Sequence, residues 1–282
     1  MQPAARAQWI IEMTPASLLI DRVPLPSGSV ETWTLNDPAS RNALSEAMVD
    51  ALLAACERAA ADADLRGVVL RGAGGHFCAG GSLGGFAKTI GQPLASGEDD
   101  PLVPLNRRFG ALLQALCALP QWLIVPVEGA AMGGGFGLVC CADQVLAHTS
   151  AQFATPEVTL GIVPAQIAPF VVRRLGPAAA RRCLLTGERW DAATAQRSGL
   201  VDEVVSCDME AAVQAAIARH AAASPQAVAA TKRLLLAQPD KPLPALLDDA
   251  AIAFAQALRG PEAPQGLAAF AARKVPPWSA NS

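Results

Sequence analysis

The spacing of hydrophobic residues changes several times along the chain between a strand-like and a helical period. Val30–Leu35 alternates polar and apolar positions like a half-exposed strand, and Trp122–Val127 is a short apolar run like a buried strand. Between them, Leu44, Met48 and Leu52 recur at helical spacing. Strands that alternate with helices in this way are typical of an α/β fold.

The same pattern predicts the remaining elements. Further strands are predicted at Ser17–Asp21, Leu65–Arg71, Gln144–Ala147, Gln152–Phe153 and Val201–Val205. Helices are predicted at Leu105–Leu119, Ala178–Leu185 and Ala192–Ser198, with a loop at Thr89–Pro104 and a turn at Thr186–Asp191. Helices alone follow, at Met209–Ala223, Pro225–Leu236, Ala245–Leu258 and Gly266–Arg273. We therefore expect an α/β core over residues 1–205 and a helical region over residues 206–282.

Composition excludes several classes of function. The 282 residues are 52% hydrophobic and 17% charged, which is typical of a folded protein with a large core. The net charge of −3 offers no basic surface for nucleic acid, and no apolar run approaches the roughly 20 residues of a membrane helix. Seven cysteines without a C-x-x-C pair indicate core thiols rather than disulfides or a zinc site. We expect a cytoplasmic protein that binds neither nucleic acid nor membranes and holds no metal or separate cofactor.

A glycine-rich junction follows the buried strand Trp122–Val127. Gly133, Gly134 and Gly135 precede an apolar segment that resembles the start of a buried helix. Glycines at such a junction let another molecule approach the main chain, and the first N–H groups of a helix lack internal partners and carry partial positive charge. The junction is suited to a negative oxygen. The same residues would also suit a tight turn made for close packing.

A second glycine-rich stretch, Gly72–Gly85, follows the predicted strand Leu65–Arg71. Seven glycines occur in it, but no G-K-[ST] follows and no G-x-G-x-x-G opens a helix. Neither a P-loop nor a dinucleotide fingerprint is therefore indicated.

Five segments in this order and spacing resemble the crotonase (enoyl-CoA hydratase/isomerase) superfamily. They are Arg41–Ser45, His76–Gly81, Gly129–Gly135, Gln152–Pro164 and Glu262–Trp278. The resemblance implies a spiral of ββα turns over residues 1–205 and a C-terminal helical trimerisation region over residues 206–282. It also implies assembly as a homotrimer or a dimer of trimers.

The resemblance implies the chemistry as well. An acyl-CoA thioester carbonyl would be held between the main-chain N–H groups of Gly81 and Gly134. Hydratases of this family carry two glutamates; Glu157 matches the second position, whereas Gly137 occupies the first. Glu157 is therefore the candidate general acid/base, because one carboxylate can still move a proton to and from the α-carbon. Without the resemblance, Glu157 would read as a first-turn carboxylate after Pro156.

CoA is implied to lie along the first two matching segments. The residues implied for it are Arg41, Asn42, Ala43, Leu44, Ala79, Ser82 and Leu83, with Phe270, Arg273 and Lys274 closing over the nucleotide end from a neighbouring subunit. The loop Thr89–Pro104 is expected to shape the acyl pocket. His76 and Glu128 are expected to be structural.

The favoured function is a hydratase for a branched 2-enoyl-CoA. The stretch Val158–Gly176, together with Gly133–Cys140, looks most like isohexenylglutaconyl-CoA hydratases of acyclic terpene degradation, whose substrate carries a distal carboxylate. Arg173 and Arg174 could meet that carboxylate or form a solvated helix face. The alternatives are a Δ3,Δ2-enoyl-CoA isomerase or hydratase-lyase with the same single glutamate, and a non-catalytic acyl-CoA-binding protein.

Overall fold

The computed structural model describes residues 17–82, 89–94, 97–238 and 241–279. Its strands are β1 (Leu18–Pro24), β2 (Ser29–Leu35), β3 (Leu65–Gly72), β4 (Trp122–Val127), β5 (Ala130–Met132), β6 (Gln144–His148), β7 (Gln152–Ala154), β8 (Trp190–Asp191) and β9 (Glu203–Val205). Its α-helices are α1 (Glu46–Ala61), α2 (Leu102–Ala118), α3 (Gly134–Cys140), α4 (Ala168–Thr186), α5 (Ala192–Arg197), α6 (Met209–Ala221), α7 (Pro225–Ala237), α8 (Leu243–Arg259) and α9 (Glu262–Ala271). Short 3-10 helices lie at Pro38–Ser40 and Pro156–Leu160.

Two sheets carry these elements. The larger sheet runs in the order β1-β2-β3-β4-β6-β9, with β1 antiparallel to β2 and the other neighbours parallel. The smaller sheet runs β5-β7-β8, in which β5 and β7 are parallel. Single bridges join Leu44 to Gly81 and Cys78 to Ala131, so they tie both glycine-rich stretches to the same part of the fold.

Strand β4 shows why its sequence is apolar without alternation. Leu123 and Val125 belong to one hydrophobic cluster, whereas Trp122 and Ile124 belong to another on the opposite face. A parallel strand covered on both faces needs apolar residues at every position. The prediction of a buried strand at this place is confirmed.

Helix α1 begins directly after its N-cap residue, Ser45. The Ser45 hydroxyl accepts a hydrogen bond from the Met48 N–H at 3.2 Å, which satisfies one of the unpaired donors of the first turn. Met48 and Leu52 are fully buried, as their spacing predicts.

The structure corrects several predicted elements, among them the start of α9, which lies at Glu262 rather than Gly266. Helix α2 begins at Leu102 rather than Leu105, because Pro104 is tolerated in a first turn, where its missing N–H is not needed. Trp190–Asp191 is strand β8 rather than part of a turn, since Trp190 pairs with Phe153 of β7. Helix α4 begins at Ala168, ten residues earlier than predicted, and continues through a break at Gly176.

A basic side chain of the core, Arg66, forms hydrogen bonds with the C-terminal part of the chain. The buried guanidinium of Arg66 donates to the carbonyl oxygens of Ser27, Ala221, Ala223 and Trp278. These bonds link β3 to the end of α6 and to the C-terminal segment. The division of the chain at residue 205 and the role of residues 206–282 in trimerisation stay predictions.

Candidate active site

A cavity of about 570 Å³, here termed the main cavity because it contains the predicted site residues, lies between the two glycine-rich stretches. Its lining comes from residues 44–49, 79–82, 105–109, 133–134 and 156–167, with some positions in these ranges facing elsewhere. Small-molecule sites in proteins have volumes of about 300–1,000 Å³, so the main cavity is of that size. Gly81, Gly134 and Glu157 all belong to its lining.

Backbone hydrogen bonds orient Gly81 toward this cavity. The Leu44 N–H donates to Gly80 O at 2.8 Å, and the Ser82 N–H donates to Leu44 O at 3.1 Å. In such a parallel bridge the N–H of the middle residue points away from the neighbouring strand. The Gly81 N–H therefore points away from Leu44, and a Cβ added at Gly81 would meet no atom within 4 Å.

Gly134 is the first residue of α3, so its N–H has no acceptor within the helix. The preceding residue, Gly133, has φ of 50° and ψ of −115°, a conformation that suits glycine. A Cβ added at Gly80 would lie 3.7 Å from the Gly134 amide nitrogen, which shows how closely the two stretches approach.

Glu157 lies in the 3-10 helix Pro156–Leu160, directly opposite Gly133. A Cβ added at Gly133 would lie 2.8 Å from Glu157 Oε1, so only glycine leaves room for this carboxylate. Glu157 Oε2 is buried and has no hydrogen-bond partner within the described part of the chain. Burial raises the pKa of the Glu157 carboxyl above its usual range. A carboxyl with one such oxygen is suited to exchange a proton with a bound molecule.

The space for the first hydratase glutamate, which would stand at residue 137, is filled. A Cβ added at Gly137 would lie 2.4 Å from Ile167 Cγ2 and 3.6 Å from Leu113 Cδ1. Ile167 is only 3% exposed and packs in the core cluster. The side chains of other elements therefore occupy the volume into which a glutamate at residue 137 would have to extend.

Asn42 differs from the expectation of a CoA contact. It is fully buried; its Oδ1 accepts from the Asp37 N–H, and its Nδ2 donates to Ala73 O and His76 O. Its backbone N–H also donates to Asp37 O. These groups are committed to neighbouring loops, so Asn42 anchors the segment rather than contacting a ligand.

The other residues implied for CoA fall into three groups. Leu44, Ala79 and Ser82 line the main cavity. Arg41 is exposed and Ala43 half-buried beside that lining, and Leu83 lies outside the described residues. Phe270, Arg273 and Lys274 are exposed at the end of α9 and do not line the main cavity of their own chain.

Arg174 does not meet the cavity. Its side chain is 15% exposed, and it forms an ion pair with Asp202 at 2.8 Å. It also donates to the carbonyl oxygens of Ala142, Gly199 and Leu200. Arg174 therefore joins α3, α4 and the strand β9 region, and the hypothesis that it recognises substrate is wrong.

Two further expectations concern loops. His76 Nδ1 accepts from the Ala130 N–H at 3.2 Å, which fits the structural role expected of His76. No described residue of the predicted loop Thr89–Pro104 lines the main cavity; helix α2 does so instead, through Leu105 and Phe109. The expectation that this loop shapes the acyl pocket is therefore not met by its described residues.

Sequence reasoning missed the residues that set the shape of the cavity. Ile167, Gln166, Phe109 and Asn106 line it, but each was expected only as part of a helix or segment. Asn106 had one signal, a polar residue near the start of an otherwise apolar helix face. The contact of Ile167 with Gly137 had none, because it depends on the relative placement of α3 and α4.

Within the described residues, no group of three or more histidine, cysteine, aspartate or glutamate side chains is placed to hold a metal ion. The described helices likewise include none that is long and apolar enough to cross a membrane. Five of the seven cysteines are buried thiols, and burial raises the pKa of Cys78 beside Gly80 to about 12.

The chain belongs to the enoyl-CoA hydratase/isomerase family, which its sequence matches over residues 26–281. It is 34% identical to the 2,3-dehydroadipyl-CoA hydratase of Escherichia coli over 248 residues, which cover 86% of this chain and 92% of that protein. It is 38% identical to a probable enoyl-CoA hydratase of Mycobacterium tuberculosis over 207 residues, covering 72% of this chain and 77% of the relative.

Solved structures show the same fold. An enoyl-CoA hydratase/isomerase from Marinobacter aquaeolei has a TM-score of 0.86 and 42% identity over 93% of this chain and 98% of its own. The AtuE protein of Pseudomonas aeruginosa has a TM-score of 0.86 and 44% identity, covering 93% of this chain and 99% of its own. The predictions of a crotonase-type α/β fold and of an enzyme of the enoyl-CoA hydratase type are confirmed.

Proposed function

We propose that the protein hydrates a 2-enoyl-CoA, with Gly81 and Gly134 holding the thioester oxygen and Glu157 moving the proton. One observation carries the proposal: the two glycines line the same cavity as Glu157, whose buried Oε2 has no hydrogen-bond partner among the described residues. Membership of the family supports the more general part of this proposal, that the protein is an enzyme of the enoyl-CoA hydratase type.

The two amides would stabilise the charge that appears during the reaction. When water attacks C3 of the enoyl group, the electron pair of the C2=C3 bond moves toward the thioester oxygen and forms an enolate. Gly134 stands at the start of α3, where the helix dipole favours negative charge. Each donor of such an oxyanion hole typically contributes about 3 kcal/mol to lowering the barrier.

Glu157 would take up and return a single proton. Its carboxylate accepts a proton from the attacking water as the oxygen bonds to C3, and the carboxylic acid then gives that proton to C2. The net result is the addition of H and OH across the double bond. The raised pKa of Glu157 brings the carboxyl closer to neutral pH, where one group can serve as both base and acid.

CoA binding is proposed at the residues beside this centre. Leu44, Ala79 and Ser82 line the inner end, and Arg41 supplies an exposed cation near it. The Phe270 ring is 83% exposed, and Arg273 follows it in the chain. We infer that this face closes over the nucleotide of a neighbouring protomer in a homotrimer or a dimer of trimers.

The substrate is proposed to be a branched or carboxylated enoyl-CoA of the isohexenylglutaconyl type. The resemblance of Val158–Gly176 and Gly133–Cys140 to such hydratases supports this proposal. So does the relative from E. coli, which is named for 2,3-dehydroadipyl-CoA, a thioester whose acyl chain ends in a carboxylate.

A Δ3,Δ2-enoyl-CoA isomerase or a hydratase-lyase is the second candidate. The contact between Gly137 and Ile167 favours it, because proton transfer between α- and γ-carbons needs one carboxylate and no bound water.

Turnover in isotopically labelled water separates these candidates. For a hydratase, labelled oxygen from the water is expected at C3 and deuterium at C2 of the product. Deuterium at C2 or C4 without added oxygen would identify an isomerase. Affinity for CoA thioesters without any turnover over a broad panel would identify a non-catalytic acyl-CoA-binding protein and refute the proposal.

A further inference from the structure

Two amide side chains are hydrogen-bonded to each other within the lining of the main cavity. Gln166 Nε2 donates to Asn106 Oδ1 at 2.9 Å. The bond joins the segment that leads into α4 to the second turn of α2. Both residues line the same cavity as Glu157, and neither has a role in the proposed proton transfer.

Helix α2 makes room for this amide pair. A Cβ added at Gly110 would lie 1.9 Å from Gln166 Oε1, so only glycine lets Gln166 pack against the helix. Phe109, the preceding residue, approaches Gly134: its Cζ lies 3.2 Å from the position of a Cβ added there. Consecutive residues of α2 therefore contact the proposed oxyanion site and the amide pair.

The pair keeps hydrogen-bond donors that their mutual bond does not use. Two primary amides carry four N–H groups, and the bond between Gln166 and Asn106 uses one of them, whichever way the amides are turned. No hydrogen bond from Asn106 Nδ2 occurs within the described part of the chain. The three N–H groups that remain can donate to a group that only accepts, such as a carboxylate.

The exposed guanidinium of Arg107 lies next to the pair, although Arg107 does not itself line the main cavity. Arg107 Nη1 is 3.2 Å from the position of the added Cβ at Gly110, the same point that Gln166 Oε1 approaches. Arg107 Nη2 donates to the neutral amide oxygen of Gln114 at 2.7 Å, so this bond leaves its positive charge uncompensated. A guanidinium beside amide donors strengthens the preference for an anion.

Arg108, the next residue, is a poorer candidate for the same role. It lines the main cavity, but its Nε forms an ion pair with Asp50 Oδ1 at 2.6 Å. That carboxylate already supplies its counter-charge.

We propose that Asn106 and Gln166, with Arg107 beside them, bind a carboxylate on the distal part of the acyl chain. The inference rests on the proposed function, since it assigns the acyl end of the same cavity. It makes the amide pair a specificity site that distinguishes carboxylated from plain enoyl-CoA substrates.

The test compares two substrates of equal chain length, 2,3-dehydroadipyl-CoA and 2-hexenoyl-CoA, which differ by the terminal carboxylate. The variants are Gln166→Met and Asn106→Leu, with Gln214→Met on the outer face of α6 as the matched control. We expect kcat/KM for 2,3-dehydroadipyl-CoA to fall about tenfold or more in both amide variants, because charge-assisted hydrogen bonds are lost. The loss of kcat/KM for 2-hexenoyl-CoA should be several times smaller, so that the ratio of the two kcat/KM values falls.

Gly110→Ala gives an independent test that keeps both amides. Its added methyl group would displace the flexible end of Gln166 rather than backbone, so the fold should persist. The same selective loss is expected. An equal loss on both substrates would overturn the proposal, because it would show a general positioning role; no loss on either would overturn it as well.

Binding of saturated thioesters separates this inference from the proposed function. Calorimetry with adipyl-CoA and hexanoyl-CoA needs no turnover. Tighter binding of adipyl-CoA that Gln166→Met abolishes would support the carboxylate site even if the protein hydrated neither enoyl-CoA. Equal binding of the two thioesters by the unmodified protein would overturn the site, whatever its catalytic activity.

Discussion

Ile167 occupies the space that a side chain at Gly137 would need: a Cβ added at Gly137 would lie 2.4 Å from Ile167 Cγ2. Residue 137, where hydratases carry a glutamate, therefore has no room for a longer side chain, because Ile167 fills the space beside it. Residue 137 lies on α3, whereas Ile167 immediately precedes α4, so the two elements are packed for glycine at this place.

Gly137→Ala should destabilise the protein by about 1–3 kcal/mol, because the added methyl overpacks against Ile167. In an open helix the same change would stabilise by about 1 kcal/mol. A loss of stability in Gly137→Ala therefore indicates that the methyl group overpacks. Urea unfolding of Gly137→Ala, Ile167→Ala and the double variant measures the coupling. The double variant should be more stable than the sum of the single effects predicts; simple additivity would show that the two residues do not compete for space.

Gly137→Glu should not raise hydratase activity. A glutamate there would have to displace Ile167 from the core, so we expect a less stable protein with lower kcat, measured on 2-hexenoyl-CoA. An increase in kcat would show that the second carboxylate can be accommodated, contrary to the observed packing.

The half-buried carboxyl of Glu157 should make stability depend on pH. Burial raises its pKa in the folded state, so the folded protein holds this proton more tightly than the unfolded chain does. Its contribution is therefore fully present below the unfolded pKa and is lost as pH rises through the raised folded pKa. Glu157→Gln should be more stable than the unmodified protein at pH 8, with the difference shrinking toward pH 4. Urea unfolding across this range checks it; a constant difference would contradict the assignment.

Arg174→Met should lower stability by about 2–4 kcal/mol without changing substrate preference. The substitution removes the ion pair with Asp202 and leaves buried carbonyl oxygens without their donor. Arg181→Met, on the exposed side of the same helix, is the control and should change stability by less than about 0.5 kcal/mol. A changed ratio of kcat/KM for 2,3-dehydroadipyl-CoA and 2-hexenoyl-CoA would instead restore Arg174 as a substrate-binding residue.

Much of the fold could be predicted from local patterns. The spacing in α1 and the apolar run of β4 are set by period and burial, which a sequence shows directly. Strand β8 could not be found in this way, because Trp190 becomes a strand residue only by pairing with the distant Phe153. The start of α4 was missed because prolines near it resemble a loop, although they are tolerated at a helix start.

The residues of the candidate site also differ in whether the sequence alone could identify them. Gly81, Gly134 and Glu157 stand in motifs that mark them in the sequence, and the structure brings them to one cavity. Asn42 and Ile167 could not be assigned from motifs. The burial of Asn42 and the contact of Ile167 with α3 arise only when segments far apart in sequence meet.

Hydration by Glu157→Gln tests the central claim most directly. The substitution keeps the size of the side chain and removes the group that would accept and return the proton, so kcat should fall by about 10²–10⁴. Affinity for hexanoyl-CoA, measured by calorimetry, should change little, because the glycine amides and the CoA-facing residues remain. Hydration at the unmodified rate by a variant that binds the thioester normally would contradict the account.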